Sequence, residues 1–392
     1  MFTSFGHPAR GAVIIAAVGV VFGFTVSTAS AVEHQHDVGI VDLGVLPGGT
    51  SSVATLVGDD GTVVGMGNAA DGYYHAVRWQ RNGRIADLGT LPGHTQSQVM
   101  AMNSAGVLVG ISNEPAPVPN QAVRWDRHGR ISALAPGLDT STPTDINDAG
   151  QITGSVGTMA AERAVRWSRD GSITYLPVLP DAATSSAAGI SARGTVAGIV
   201  RDVHVDGPQY VVRWHLGRGL EVLASFHGWP GVWLAGIDDN DVVIGAVPTD
   251  HGQRAVRWDA AGRVAELGLP PDATGSSATA VSANGFVLGF VSTPEGQYAA
   301  RWDRSGALTL LDNAPGSSAA IPNGVNVRGE VVGQVTMPGY TTAARWDRSG
   351  HVTLLPRLPG GSYATAAAID DHGTAVGSAL TADGSTHAVS WR

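Results

Sequence analysis

Aromatic and hydrogen-bonding residues that could bind a ligand are concentrated in a few irregular segments of the sequence. They are Tyr73, Tyr74, His204, Asp206, His227, Trp229, Trp233, Asp250 and His251. A flat apolar ring beside a polar rim suits a sugar ring or a peptide side chain. These residues are therefore predicted to bind a glycan, a peptide or an extracellular protein. In the alternative interpretation, Trp229 and Trp233 only fill a gap left by an atypical structural unit.

Catalytic motifs are missing from the sequence. No nucleophile, base and orienting group occur at a familiar spacing, and the absence of Cys excludes thiol catalysis and Cys-ligated zinc. We therefore predict no catalytic residue and no cofactor. The competing hypothesis is a hydrolase or lyase acting on polysaccharide or peptide, with Asp206, His227, Asp250 and His251 brought together from different parts of the chain.

Metal binding is considered at the N-terminus and in Asp-rich turns. If the chain is cleaved after Ala31, His34 becomes its third residue and could join the terminal amine and two amide nitrogens around Cu(II) or Ni(II). The alternative is a solvated tail. Asp59–Asp60 and the acidic residues near 238–241 could hold Ca²⁺, but they lack a fixed ligand spacing, and turn formation explains them equally well.

The elements that must position these residues repeat along the chain. A Trp recurs at intervals of 46, 42, 47, 44, 44, 44 and 45 residues. The eight positions are Trp79, Trp125, Trp167, Trp214, Trp258, Trp302, Trp346 and Trp391. Such a period predicts a repeat architecture, because one unit cannot bury its apolar faces alone.

Each unit is predicted to contain four short strands, a to d. A Gly-containing turn joins a to b, and another joins c to d. Strand b always carries a second Gly, which predicts a bulge or a close backbone approach. The eight positions are Gly65, Gly110, Gly154, Gly198, Gly245, Gly289, Gly333 and Gly377. Strand c ends in Arg–Trp in seven units, and these Arg residues are predicted to contact an aspartate or an aromatic ring of the next unit rather than a ligand.

Four antiparallel strands in about 44 residues are typical of one β-propeller blade. The sequence therefore predicts an all-β protein, a single propeller of eight four-stranded blades over residues 39–392. Its ring is expected to close by pairing of the N-terminal strand, Gly39 to Leu43, with the C-terminal strand, Ala388 to Trp391. The b–c and d–a connections vary most, so the binding site is expected on their face of the disc, near the central channel.

Several segments resemble the HAF-repeat family of extracellular proteins. They are Asp42–Gly49 (DLGVLPGG), His75–Trp79 (HAVRW) and Asp87–Gly93 (DLGTLPG). The chain departs from the family pattern where Phe is expected, since Val or Ala occupies that position in every unit, and only His75 and His387 keep the leading His. The resemblance implies export and a repeat fold, and it transfers no catalytic residue.

The N-terminal segment is typical of a secretory signal. Arg10 precedes an apolar run from Ala12 to Val26, and small residues end at Ala31. We predict a signal peptide at residues 1–31, a flexible tail at 32–38 and a secreted or cell-wall-associated product; a membrane anchor is the alternative.

Loss of Arg10 changes the formal net charge from −9 to −10, which disfavours nucleic acid and anionic membranes as partners. A non-catalytic monomeric binding module is the leading hypothesis, and an architectural surface protein without a ligand is a further alternative.

Overall fold

The fold is described from a computed structural model that covers residues 38–114, 120–138, 140–158, 161–204, 207–227 and 231–392. Within these ranges the chain forms 32 strands and no helix. The strands make eight separate four-stranded antiparallel sheets, which are the blades of an eight-bladed β-propeller. The predicted fold class is confirmed.

Blades 1 to 4 follow one another along the chain. Blade 1 contains β2 (Ser52–Val57), β3 (Val63–Asn68), β4 (Tyr74–Trp79) and β5 (Ile85–Asp87). Blade 2 contains β6 (Gln96–Met102), β7 (Leu108–Asn113), β8 (Gln121–Trp125) and β9 (Ile131–Ala133). Blade 3 contains β10 (Ser141–Ile146), β11 (Ile152–Val156), β12 (Arg163–Trp167) and β13 (Ile173–Tyr175). Blade 4 contains β14 (Ala182–Ile190), β15 (Val196–Asp202), β16 (Gln209–His215) and β17 (Gly219–Phe226).

Blades 5 to 7 repeat this order, and blade 8 takes its outer strand from the start of the chain. Blade 5 contains β18 (Trp233–Ile237), β19 (Val243–Thr249), β20 (Gly252–Trp258) and β21 (Val264–Glu266). Blade 6 contains β22 (Gly275–Val281), β23 (Val287–Thr293), β24 (Gly296–Trp302) and β25 (Leu308–Leu310). Blade 7 contains β26 (Ala319–Val325), β27 (Val331–Met337), β28 (Tyr340–Trp346) and β29 (Val352–Leu354). Blade 8 contains β30 (Ala364–Ile369), β31 (Ala375–Leu380), β32 (Thr386–Trp391) and β1 (Ile40–Gly44).

The ring closes through β1 and β32, as predicted. The two strands pair antiparallel, with Ile40 opposite Trp391. Beyond the strands, Gly39 N–H donates to the Arg392 carbonyl at 3.1 Å. The His387 ring and the Asp42 carboxylate are 2.8 Å apart (Nδ1 to Oδ2), so side chains reinforce the main-chain closure.

The recurrent strand-b glycines are required by a close approach to strand a. A Cβ atom on Gly289 would lie 1.8 Å from the Ser277 carbonyl oxygen, and at each of the other seven positions it would lie within 2.4 Å of the equivalent carbonyl oxygen. Opposite each of these glycines the pairing of strands a and b shifts register, which marks a bulge. Both predicted reasons for the glycines therefore apply.

The strand-c Trp and Arg residues join neighbouring blades. All eight Trp side chains are buried, and five donate an indole N–H to a carbonyl of the preceding blade, as Trp302 does to Gly268 at 2.7 Å. The Arg side chains extend the other way, to turn carbonyls of the following blade. Arg213, for example, donates to the carbonyls of Asp241 and Asp259 at 2.7 and 2.8 Å. The hydrogen-bond partners that these Arg residues have in common are thus main-chain carbonyls of the following blade. They are not the aspartate or neighbouring aromatic side chains expected from the sequence.

Candidate functional site

The propeller presents two different faces. Its a–b and c–d turns lie on one side, called here the turn face, and its b–c and d–a connections lie on the other, called the loop face. This division follows from the up-and-down order of the strands in every sheet. The a strands contact each other in seven of the eight pairs of neighbouring blades, so the a–b turns surround the mouth of the central channel.

The blade 1 part of the predicted site lies on the loop face. Tyr73 and Tyr74 are 37% and 47% exposed, and the Tyr74 hydroxyl is 3.2 Å from the Ser51 hydroxyl. His75 follows them, with Nδ1 2.8 Å from the Asp87 carboxylate. The same His–Asp contact recurs between His387 and Asp42, which favours a role in joining strands c and d.

The remaining predicted residues belong to blades 4 and 5. His204, Asp250 and His251 are exposed in b–c connections, His227 is exposed in the d–a connection after β17, and Trp233, 37% exposed, begins β18. Asp206 and Trp229 lie outside the described residues, as do His34 and the predicted signal peptide and most of the tail. Blade 1 is four places from blade 5 in a ring of eight, so the structure does not bring Tyr73 and Tyr74 together with the blade 5 residues. A binding role for these residues stays a prediction.

A cavity of about 370 Å³ lies at the mouth of the channel on the turn face. Its walls are residues of the a–b turns and of the strand-a ends beside them in blades 1, 2, 5, 6, 7 and 8: Leu56, Val57, Gly58, Asp59, Met102, Asn103, Ser104, Asp239, Asn240, Ala283, Asn284, Val327 and Asp371. The lining combines apolar side chains with three carboxylates and contains no Lys, Arg or His. Carboxylates at the edge of an apolar concavity suit a ligand that has an apolar body and a cationic group.

Hydrogen bonds between neighbouring a–b turns fix the carboxylates at the mouth. The main-chain N–H of Asp371 donates to Asp59 at 2.9 Å, that of Val327 to Asp371 at 3.0 Å, and that of Ala192 to Asp239 at 3.0 Å. Each bond links a blade to the next one around the ring. The orientation of these acids is therefore set by the closed ring itself.

Burial changes the proton affinity of two acids beside the cavity. Burial raises the pKa of Asp371; the N–H of Val327 opposes this effect, and the nearby Asp59 carboxylate adds to it. Burial likewise raises the pKa of Asp238, although main-chain N–H groups of its own turn oppose the rise. Both carboxyl groups are therefore easier to protonate than an ordinary Asp side chain.

The acids at the mouth share one position in the repeat, directly after the first residue of the a–b turn. Asp59, Asp148, Asp239 and Asp371 occupy it in blades 1, 3, 5 and 8. This recurrence was the available sequence signal, but the sequence-based predictions include only Asp59 and Asp239 of these four acids, as Ca²⁺ ligands or turn formers. Within the described ranges, no group of three or more His, Asp or Glu residues is arranged to hold a metal ion.

The fold is similar to those of known propeller enzymes. A prolyl endopeptidase matches with a TM-score of 0.58 and 13% identity, over 84% of this chain and 54% of that chain. A puromycin hydrolase matches with a TM-score of 0.52 and 15% identity, over 83% of this chain and 57% of that chain. The chain thus spans little more than half the length of these enzymes, and identities this low show the fold alone.

Sequence comparisons give no family. No family model matches the chain, and no curated protein matches it. The resemblance to the HAF-repeat family therefore stays a prediction. Among the described residues, no helix is long and apolar enough to cross a membrane.

Proposed function

We propose that the propeller is a binding module that takes the positively charged group of a peptide at the mouth of its central channel. The cavity on the turn face carries this proposal. Asp59, Asp239 and Asp371 contribute carboxylates to its lining, among whose residues there is no Lys, Arg or His. A Lys or Arg side chain, or a peptide α-amino group, would complement the negative charge of this lining.

The apolar part of the cavity supports a peptide over a simple cation. Leu56, Val57, Met102 and Val327 offer a surface against which aliphatic carbons can pack. Apolar walls also exclude water, which strengthens charge pairing inside the cavity. Similarity to a prolyl endopeptidase agrees with a peptide ligand. Export by the signal peptide predicted at residues 1–31, and a monomeric state, are parts of the same proposal.

Calorimetric titration with short peptides that contain Lys or Arg tests the site. Changing Asp59 and Asp239 together to Asn keeps an oxygen that can accept the existing N–H bonds but removes two charges, so we expect at least a tenfold loss of affinity, about 1.4 kcal/mol. The matched control on the loop face is Asp250→Asn combined with Tyr73→Ala, which should bind like the unaltered protein. Loss of binding only in the loop-face variant would place the ligand on the loop face instead.

A second candidate function is hydrolysis, and the Asp59–Asp371 pair favours it. A carboxyl group that holds a proton beside an ionised one provides a general acid and a general base. Asp371 N–H donates to the Asp59 carboxylate at 2.9 Å, and burial and Asp59 raise the Asp371 pKa, so Asp371 is the better candidate for the general acid. Mass spectrometry of peptides incubated with the protein tests this function. Products that persist with Asp371→Asn would exclude this pair as the cause.

A further inference from the structure

The charged residues of the turn face are distributed according to their distance from the channel. The eight a–b turns, which surround the mouth, contain eight Asp and one Glu against two Arg. The seven c–d turns, which join the outer strands of blades 1 to 7, contain nine Arg against five Asp. Negative charge is therefore concentrated at the mouth, and the surrounding turns have a net positive charge. This distribution favours a narrow cation that enters the mouth over a broad polycation that covers the whole face.

The two Arg residues of the a–b turns are engaged by other acids. The Arg193 guanidinium is 3.4 Å from the Asp241 carboxylate, and Arg328 Nε donates to Glu330 at 2.8 Å. Arg328 is near enough to Asp371 to oppose the rise in its pKa, but burial outweighs this effect. Neither Arg residue lines the cavity, so neither occupies the space that a cation from solution would take.

The acids that line the cavity lie on opposite sides of the mouth. Asp59 and Asp371 belong to the adjacent blades 1 and 8, whereas Asp239 belongs to blade 5, four places from blade 1 in the ring of eight. Across the described residues, no group of three or more His, Asp or Glu side chains is arranged to hold one metal ion. The cavity therefore has two negative poles, which are Asp59 with Asp371 and, across the mouth, Asp239.

Apolar residues share the cavity with the two poles. Leu56, Met102 and Val327 line it, and main-chain N–H groups of neighbouring blades fix the carboxylates of both poles. An aliphatic chain can pack against these walls while its two ends meet the carboxylates. When two charged groups belong to one ligand, the second contact is intramolecular, so affinity rises only if the chain length matches the separation of the poles.

We propose that the mouth binds both positive groups of a diammonium ligand at once, one at Asp59 and Asp371 and the other at Asp239. An aliphatic chain joins the two groups, as it joins the α- and ε-amino groups of an N-terminal Lys residue. This inference rests on the proposed peptide function and extends it by naming the end of the peptide that is recognised. A free aliphatic diamine has the same chemistry, and the experiment distinguishes the two sources.

Calorimetric titration with matched cations at low salt tests the pairing. The peptide Lys-Ala-Ala amide and 1,5-diaminopentane carry two amino groups on the same five-carbon chain, whereas the Nα-acetylated peptide and 1-aminopentane carry one. Each dication should bind roughly tenfold more tightly than its monocation. In a series of diamines of increasing length, the ratio of diamine to monoamine affinity should reach a maximum at one length, because both ends must reach a pole.

Single variants at the two poles separate paired binding from general attraction. Asp59→Asn and Asp239→Asn should each lower the affinity for the dications roughly tenfold, but for the monocations less than about threefold, since a monocation needs only one pole. The matched control is Asp148→Asn, because Asp148 occupies the same repeat position in blade 3 and accepts the Ser104 N–H at 3.0 Å but does not line the cavity. This control should change the affinities less than about twofold. Unchanged melting temperatures of the variants show that the fold is intact.

Two results would overturn the pairing: equal affinities of each dication and its monocation, and equal losses in Asp148→Asn and Asp239→Asn. The proposed peptide function survives either result if the acetylated Lys peptide still binds and the double variant of Asp59 and Asp239 abolishes that binding. Binding of the diamine without binding of either peptide would keep the paired poles and contradict the peptide function. An absence of binding by all four compounds would contradict both proposals.

Discussion

Trp302 joins blade 6 to blade 5 through both apolar burial and a hydrogen bond. Its side chain is fully buried, and its indole N–H donates to Gly268. Trp302→Ala should lower the free energy of unfolding by ~3–5 kcal/mol, measured by urea denaturation. A loss below ~1 kcal/mol would contradict a core position.

The equivalent Trp258 provides an internal control, because its indole N–H has no hydrogen-bond partner among the described residues. Both Trp→Phe changes remove similar apolar surface, but only Trp302→Phe also removes a hydrogen bond. Trp302→Phe should therefore cost about 1 kcal/mol more than Trp258→Phe. Equal losses would show that the Gly268 bond adds nothing to stability.

Glu330 makes the stability of the folded protein depend on pH in the acidic range. Burial opposes its ionised form, but hydrogen bonds from Asn326, Arg345 and Arg328 prevail and lower its pKa to about 2. Because the pKa is lower in the folded state, this stabilisation is present above the ordinary Glu pKa and is lost as the pH falls towards about 2. Glu330→Gln should thus destabilise the protein at pH 7, roughly by 1–3 kcal/mol, and progressively less below pH 4. A penalty independent of pH would contradict this explanation.

The strand-b glycines set the spacing between strands a and b in every blade. In Gly289→Ala the added methyl group would meet the Ser277 carbonyl, so strand a must move and the bulge must change. We expect a loss of at least ~3 kcal/mol in unfolding free energy. Gly39→Ala is the control, because its Cβ would enter open space. Similar melting temperatures for the two variants would show that the close approach is not required.

The repeated elements were predictable because every blade solves the same packing problem with the same residue types. Departures from the repeat could not be predicted in this way, because they depend on pairs of positions in different blades. Asp241 has a φ of 65° where the a–b turns of the other blades have Gly, and its carboxylate accepts a hydrogen bond from Ser191 of blade 4 at 2.5 Å. In blade 3 the position of Ser191 is occupied by Asn147, whose side-chain amide donates directly to the main-chain carbonyl of Ser191 in blade 4. The Ser191 side chain is shorter, and Asp241 compensates by accepting a hydrogen bond from its hydroxyl.

The candidate site was harder to predict than the blades for a similar reason. The variable connections predict binding residues such as Tyr73, His204 and Asp250 on the loop face, whereas the cavity lies among the uniform a–b turns. Its carboxylates, Asp59, Asp239 and Asp371, occupy the same position of the repeat in blades 1, 5 and 8, but they converge only when the strands surround a channel. That convergence depends on ring geometry, which no local pattern contains.

The molecule as a whole depends on the ring being closed, because the mouth exists only if blade 8 meets blade 1. Removing residues 32–44 deletes β1, leaves the edge of β32 unpaired and takes Asp42 away from His387. We expect a lower melting temperature and concentration-dependent association in size-exclusion chromatography. An unchanged melting temperature and solution size would mean that β1 does not close the ring.

A cross-link between β1 and β32 tests closure most directly, since the chain contains no Cys that could interfere. Val41 and Ser390 are paired across the two strands, so the double variant Val41→Cys, Ser390→Cys should form a disulfide within one molecule. Mass spectrometry after oxidation should find this bond in a monomer, and the melting temperature should rise above that of the reduced form. Free thiols, or disulfides only between molecules, would contradict the closed eight-bladed ring.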